Sequence, residues 1–345
     1  MATTNQPPPV RIAQYGVSHA HATGHASVLN ADPDVDFVGV YEPDAAAREK
    51  ARALSAYDGV VWYDSAEEML ADDATLAVAV EGHVHELLAF ARECVDAGKH
   101  VWLDKPAGDD LADFEDVVAI ARKKNLLVQL GYMFRYNEAF QRIFALADAG
   151  ALGEVFSVRG RMSTSVGLDT REKLSRHKGG IMFELLPHLV DAVVTLLGRP
   201  EKITSFLRND EGPVPEFDDN TLAVFEYKNA MATLSSAAIE NEPFPCRRFE
   251  VYGSKGSAII EPLEPPSLRV CLSEAGYAYD TGAGYDGHAY EHGWQTVEVE
   301  KRSRYVDDVI AFVANIRGEK QPDRSLDHEL VVQETILRAS QRGVS

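Results

Sequence analysis

Short β-branched runs alternate with amphipathic stretches over the first third of the chain. They predict strands at Val10–Tyr15, Asp36–Tyr41, Val60–Trp62, Leu76–Val80, His100–Leu103 and Leu126–Leu130. Within His85–Ala97, Leu88, Ala91 and Val95 recur at helical spacing, and Gly98 supplies a C-terminal stop. Six strands with helical crossovers make an α/β domain with a doubly wound parallel sheet over residues 10–130. Its chemistry belongs in the loops that follow the strands' carboxyl ends.

After Gly131 the pattern changes. A helix over Asn137–Ala149, a strand over Val155–Met162, a basic loop and a helix over Glu184–Leu197 precede alternating runs at Thr221–Tyr227 and Ala230–Ser236. Strands without intervening helices predict a second, α+β domain with an antiparallel or mixed sheet over residues 131–345. Ser273–Trp294, rich in Gly, Tyr, Asp and His, reads as an exposed loop, and Tyr305–Ile316 and Asp327–Ser340 read as closing helices. Residues 1–9, ending in three prolines, read as a disordered leader without the basic and apolar regions of a signal peptide.

Charge and composition narrow the function. The 345 residues hold 54 acidic against 34 basic side chains, a formal charge of −20. That balance argues against general binding to nucleic acid or adhesion to an anionic membrane. No run approaches the roughly 18 apolar residues of a spanning helix. Cys94, Cys246 and Cys271 are scattered and lack CxxC spacing, which points to a reducing, cytoplasmic setting. Against the acidic total, residues 159–178 carry six basic and two acidic side chains. They lead directly into Glu184, so the segment is a candidate border for a carboxylated or phosphorylated substrate.

Three sequence features carry chemistry. The first strand ends in Gly16-Val17-Ser18-His19-Ala20-His21, where a dinucleotide fold places G-x-G-x-x-G. Gly16 suits the tight turn, while Ser18 and His21 replace the other small residues. Glu42, at the end of the second strand, is spaced to accept from adenosine ribose hydroxyls and to repel a 2′-phosphate, favouring NAD over NADP. The same loop would also suit another nucleotide. Next, Asp104-Lys105-Pro106 closes the fifth run. Lys105 at a strand's carboxyl end is a candidate proton shuttle or donor to a substrate oxygen, or else a solvated lysine paired with Asp104. Third, Gly179-Gly180 leads to Glu184 and His188, four apart on one predicted helical face, where a carboxylate can orient an imidazole or simply form a surface pair. Five of the eleven histidines, His19, His21, His25, His83 and His85, follow the first and fourth predicted strands and, with Glu81, would converge at the switch point. A metal site is conceivable there. The adopted reading is a metal-free dinucleotide loop with His19, His21 and His85 contacting cofactor.

These motifs resemble the Gfo/Idh/MocA family, the relatives of glucose-fructose oxidoreductase and inositol dehydrogenase. Ala97-Gly98-Lys99-His100-Val101-Trp102-Leu103-Asp104-Lys105-Pro106 is similar to the family's AGKHV..EKP element, with Asp104 in place of glutamate. Gly131-Tyr132-Met133-Phe134-Arg135-Tyr136-Asn137 resembles its interdomain segment, and Gly179 through His188 its GG...D...H element, with Glu184 for aspartate. The family's second glycine is Ser18, and Glu81 and Gly82 stand where proline and asparagine are usual. The resemblance implies a Rossmann-type domain binding NAD through Gly16, Ser18, His19, His21, Glu42, His85, Asp104 and Lys105. It implies a catalytic set of Lys105, Glu184 and His188, in which the histidine takes the hydroxyl proton and the lysine binds the reacting oxygen. Tyr132, Arg135 and His177 are candidate contacts to a sugar, inositol or polyol, each suited equally to a structural role. The resemblance further implies an open, mainly antiparallel sheet forming a homodimer or homotetramer. Alternatives within the fold are an NAD-retaining lyase or glycosidase and a non-catalytic ligand sensor.

Overall fold

The computed structural model describes residues 7–210, 212–275, 278–279 and 288–344. The chain divides into two compact units: residues 1–131 with 303–330, and residues 132–302 with 331–345. The boundary at 131 lies one residue from the expected one. Residues 303–330, expected in the second domain, pack instead with the first.

The first unit runs β1 (Val10–Tyr15), α1 (Ala22–Ala31), β2 (Val35–Tyr41), α2 (Ala45–Arg52), α3 (Ala66–Leu70), β3 (Ala77–Val80), α4 (Leu87–Asp96), β4 (His100–Leu103), α5 (Leu111–Lys124) and β5 (Val128–Leu130). Its sheet has five parallel strands in the order β2-β1-β3-β4-β5. Expected strand Val60–Trp62 is not a sixth: only an isolated parallel bridge joins Trp62 to Val40. A run of three residues between a turn and Asp64 is too short to build a ladder of its own. β3 is wholly apolar and fully buried, and β4 is apolar and buried after its half-buried first residue, His100, as expected of strands covered on both faces. Asn125, in the left-handed region at φ 54°, ends α5 and turns the chain into β5.

The second unit contains α6 (Glu138–Asp148), β6 (Val155–Arg161), α7 (Leu168–Leu174), α8 (Ile181–Leu185), α9 (Pro187–Leu197), β7 (Lys202–Arg208), β8 (Asn220–Glu226), β9 (Met231–Ala237), β10 (Arg248–Gly253), β11 (Gly256–Ile260), β12 (Leu268–Leu272), β13 (Ala278–Tyr279), β14 (His288–Ala289) and β15 (Gly293–Val297). In the remaining segments, α10 (Val306–Ile316) belongs to the first unit, α11 (Leu326–Ala339) begins in the first and ends in the second, and β16 (Gly343–Val344) closes the chain. Nine strands pair in the order β15-β12-β11-β10-β6-β9-β8-β7-β16. Only the β6–β9 pairing is parallel, so the sheet is mainly antiparallel. One face is buried, with α9 packed on β6 and β9, and Gly160 leaves room there for Leu189. The other face keeps Phe206, Leu222, Met231 and Trp294 exposed.

Two expectations in this unit change. The segment Ser273–Trp294 falls partly outside the described residues, but its described parts include the β13–β14 pair and the start of β15. The single helix expected over Glu184–Leu197 is two, because Pro187 has no N–H to continue α8 and instead opens α9. Among the described residues no helix is long and apolar enough to cross a membrane.

Candidate functional site

In the first unit, the turn after β1 is built against the end of β3. Gly16 takes φ +89°, and a Cβ there would lie 2.5 Å from the backbone nitrogen of Gly82. Only glycine fits, and Gly82, where the family has asparagine, provides the facing backbone. Val17 donates its amide to Glu42 Oε2 at 2.7 Å, and Asp44 donates to Glu42 Oε1 at 2.8 Å. Glu42 is therefore tied to the turn and buried, although each carboxylate oxygen keeps a second lone pair for a ligand hydroxyl. Burial raises its carboxyl pKa, opposed by those two amides. His21 is the N-cap of α1 without a side-chain cap bond, so the helix's first turn leaves its positive end toward the loop. Ser18 is half-buried. A tight glycine turn, an uncapped ten-residue helix and a carboxylate at the end of β2 fit a dinucleotide.

Asp104 and Lys105 end β4 by different routes. Lys105, joined to Pro106 by a cis peptide, is 1% exposed, and its amide donates to Asp104 Oδ1 at 2.7 Å. The Asp104 carboxylate also turns toward two imidazoles. It meets His19 Nδ1 at 2.5 Å and His21 Nδ1 at 3.0 Å, both on Oδ2. Beside it, His25 Nδ1 forms a very short contact with Glu81 Oε1, both side chains fully buried. Burial alone would lower His19, but Asp104 raises it above the usual imidazole value. The same imidazoles carry Asp104 well below the carboxylate range against its burial. Burial holds His21 and His25 down at about 4, and burial with the nearby Asp104 charge pushes Glu81 well up. The imidazoles thus favour the ionised form of Asp104, while burial favours the neutral forms of His21, His25 and Glu81.

Of the five histidines expected to converge, three do so. His83 and His85 are exposed and stack on each other, ring centroids 5.5 Å apart. His85 lines a separate cavity of about 230 Å³ with Leu88, Arg92 and Asp109.

In the second unit, Gly179 and Gly180 both have positive φ, +91° and +51°. A Cβ on Gly180 would come within 2.2 Å of the Asp218 carbonyl oxygen, and that same oxygen accepts from Ile181 N at 2.9 Å. The glycine pair thus presses the start of α8 onto the loop before β8, and this fixes where Glu184 and His188 stand. They lie on separate helices rather than one face of a single helix: Glu184 is half-buried in α8, and His188 is the second residue of α9. His188 is 2% exposed and meets Tyr132 edge-on at 6.3 Å and Phe134 at 5.8 Å.

Arg135 is 1% exposed and grips Asp191, Nη2 to Oδ1 at 2.6 Å and Nε to Oδ2 at 3.3 Å, with its guanidinium over the Tyr132 ring. This forked pair ties the interdomain segment to α9, one turn beyond His188. No sequence signal pairs two residues 56 positions apart. His177 is 8% exposed and stacks on Phe183. In the basic segment, Arg171 is buried and donates to the Val166 carbonyl at 2.9 Å, whereas Lys173, Arg176 and Lys178 are exposed. The charge available to a ligand is therefore smaller than the sequence count.

Residues 10–132 match the family described as "Oxidoreductase family, NAD-binding Rossmann fold", and residues 140–259 match "GFO/IDH/MocA C-terminal domain". The chain is 25% identical over 273 residues to the uncharacterized oxidoreductase YhhX of Escherichia coli, covering 77% of this chain and 76% of that protein. It is 27% identical over 236 residues to trans-1,2-dihydrobenzene-1,2-diol dehydrogenase of Bos taurus, covering 66% and 69%. The solved structure of GenD2 from gentamicin A biosynthesis, in complex with NAD, shares the fold, with a TM-score of 0.77 at 22% identity, covering 98% of this chain and 95% of that one. With both matched segments in order along one chain, the protein belongs to the Gfo/Idh/MocA family of oxidoreductases, with an NAD-binding Rossmann domain followed by the family's C-terminal domain.

Proposed function

We propose that this chain is an NAD-dependent dehydrogenase, or the corresponding reductase, acting on a CH–OH carbon of a sugar, inositol or related polyol. The observation that carries the reading is Lys105, buried at the carboxyl end of β4, where a doubly wound sheet binds its ligands. When bound, NAD supplies the hydride acceptor. Gly16, Ser18 and the first turn of α1 hold its pyrophosphate, and Glu42 favours a free ribose hydroxyl over a 2′-phosphate. His188 takes the hydroxyl proton, Lys105 donates to the reacting oxygen and Glu184 orients the imidazole. Tyr132 and His177 contact substrate, with Arg135 acting through Asp191 to set the segment that carries Tyr132. The name of the bovine relative, a diol dehydrogenase, supports a vicinal hydroxyl substrate.

We also propose a homodimer or homotetramer formed through the open sheet face. Phe206 lies opposite Leu222 across β7–β8, and Met231 and Trp294 extend the same apolar face over further strands.

A panel of inositols, sugars and sugar acids with NAD and with NADP tests the reading through reduced-nicotinamide absorbance. Lys105→Ala and His188→Ala should each lower kcat by about 10²- to 10⁴-fold with NAD binding retained. Near-normal turnover in both would overturn it. Substrate consumed at constant absorbance would replace it with an NAD-retaining lyase or glycosidase.

A further inference from the structure

The histidine–carboxylate cluster of the first unit has a geometry the proposed dehydrogenase chemistry does not use. His19 Nδ1, His21 Nδ1 and a carboxylate oxygen of Asp104 all lie within 4.8 Å of one another, as do donors of His25, Glu81 and Asp104. Asp104 is shared by both sets. Two imidazole nitrogens and a carboxylate oxygen this close together form a donor set suited to a first-row divalent cation, zinc above all.

The surroundings are those of a built site. Asp104, Glu81 and His25 are 0% exposed, while the His21 side chain keeps 16%, which leaves one way in. The walls are fixed. The Trp102 ring stacks on His25 at 4.0 Å, and Tyr305 meets His25 edge-on at 4.3 Å. Tyr305 holds a left-handed backbone at φ 71°, and Gly24 makes room for its ring, which a Cβ would approach to 2.8 Å. Gly131 likewise sits close over the Asp104 carboxylate, with a Cβ there only 3.2 Å from Oδ1. His25 Nε2 has no hydrogen-bond partner among the described residues although it is fully buried. Nothing in a dinucleotide-binding turn needs three imidazoles and two buried carboxylates.

We propose that His19, His21 and Asp104 bind one divalent transition-metal ion, zinc being the best fit, with Glu81 and His25 as a supporting layer that orients the shared carboxylate. Three protein donors leave one position of a tetrahedral ion for water or a ligand oxygen. This departs from the metal-free reading of the loop and does not depend on the dehydrogenase assignment.

The test uses the full chain, with any polyhistidine tag removed, stripped by chelator and then titrated with Zn²⁺ by calorimetry and with Co²⁺ by visible absorption. One equivalent of Zn²⁺ should bind, and Co²⁺ should produce the ligand-field bands of a nitrogen- and oxygen-ligated ion. His21→Ala and Asp104→Asn should each abolish both signals. Glu81→Gln should weaken binding by about 10- to 100-fold, as expected of a group that acts through a ligand. His85→Ala, outside the cluster, should bind as the parent does. Circular dichroism and a cooperative thermal transition for His21→Ala separate loss of a ligand from loss of the fold. The parent chain alone keeps the test decisive if the variants unfold. No calorimetric binding and no cobalt bands in the parent, or unchanged binding in a folded His21→Ala, would overturn the proposal and leave the cluster as a hydrogen-bond network.

Discussion

Gly180 shows how a single residue's backbone determines where chemistry can sit. Its φ of +51° is unfavourable for any residue with a Cβ, and that Cβ would also strike the Asp218 carbonyl. Gly98, at φ +80° with open space around it, carries only the first of these costs. Gly98→Ala should therefore lower stability by roughly 1 kcal/mol, and Gly180→Ala by more than about 2 kcal/mol, in urea unfolding. Equal losses at the two positions would show that the contact with Asp218 contributes nothing. The sequence motif Gly179-Gly180 was visible without a structure, as were Lys105 and His188. The reason for the glycines was not, because it lies in a loop nearly forty positions away. Arg135 marks the complementary limit. Its sequence position suits a substrate contact or a structural role equally, and its grip on Asp191 is one that no local pattern identifies.

At the scale of elements, periodicity located the five strands of the first unit and β6, β8 and β9 of the second, gave no bounds for β7, β10, β11 and β12 or for α1 and α5, and failed where backbone chemistry interrupts a continuous apolar pattern. Leu185, Leu189 and Val193 carry one helical rhythm across Pro187, so pattern alone reads one helix where there are two. Val60–Trp62 has strand composition, but only one bridge forms there. At the start of β4, His100 joins a strand to its neighbour through titratable chemistry. Its Nδ1 accepts from Leu127 N–H at 2.9 Å, and burial lowers its pKa below the ordinary 6.5. In the unfolded chain that histidine takes up a proton as pH falls through about 6.5, while the folded one resists. Stability from this source is thus present above pH 6.5 and is lost as pH falls toward the folded value. His100→Gln, which has no proton to gain, should flatten that acid limb in denaturant titrations between neutral and mildly acidic pH. An unchanged slope would assign the acid sensitivity elsewhere.

For the whole molecule, the two-domain plan and the mainly antiparallel character of the second sheet were legible, because alternating βα units and consecutive strands leave different rhythms. The return of residues 303–330 to the first unit was not, since an amphipathic helix does not say which core it covers. The open sheet face supports a prediction at this scale. Phe206 and Trp294 are each 56% exposed on strands well separated in the sheet. Charged substitutions there, Phe206→Glu with Trp294→Glu, should shift the protein to a monomer in sedimentation velocity while the thermal transition of each unit persists. A monomeric parent would remove the proposed assembly.

The same late segment has a temporal consequence. The Asp308 carbonyl accepts from Gln129, Phe312 packs near Trp102, and Tyr305 closes over His25, so the first unit is finished by residues made after nearly the entire second unit. A ribosome delivers the chain from its N-terminus, and domains generally fold in that order. Here residues 1–131 must wait, with His25 not yet covered by Tyr305, while residues 132–302 are made. The first unit is completed by residues 303–330 and the second by residues 331–345, when β16 joins β7, so neither is finished until the final segment of the chain is delivered.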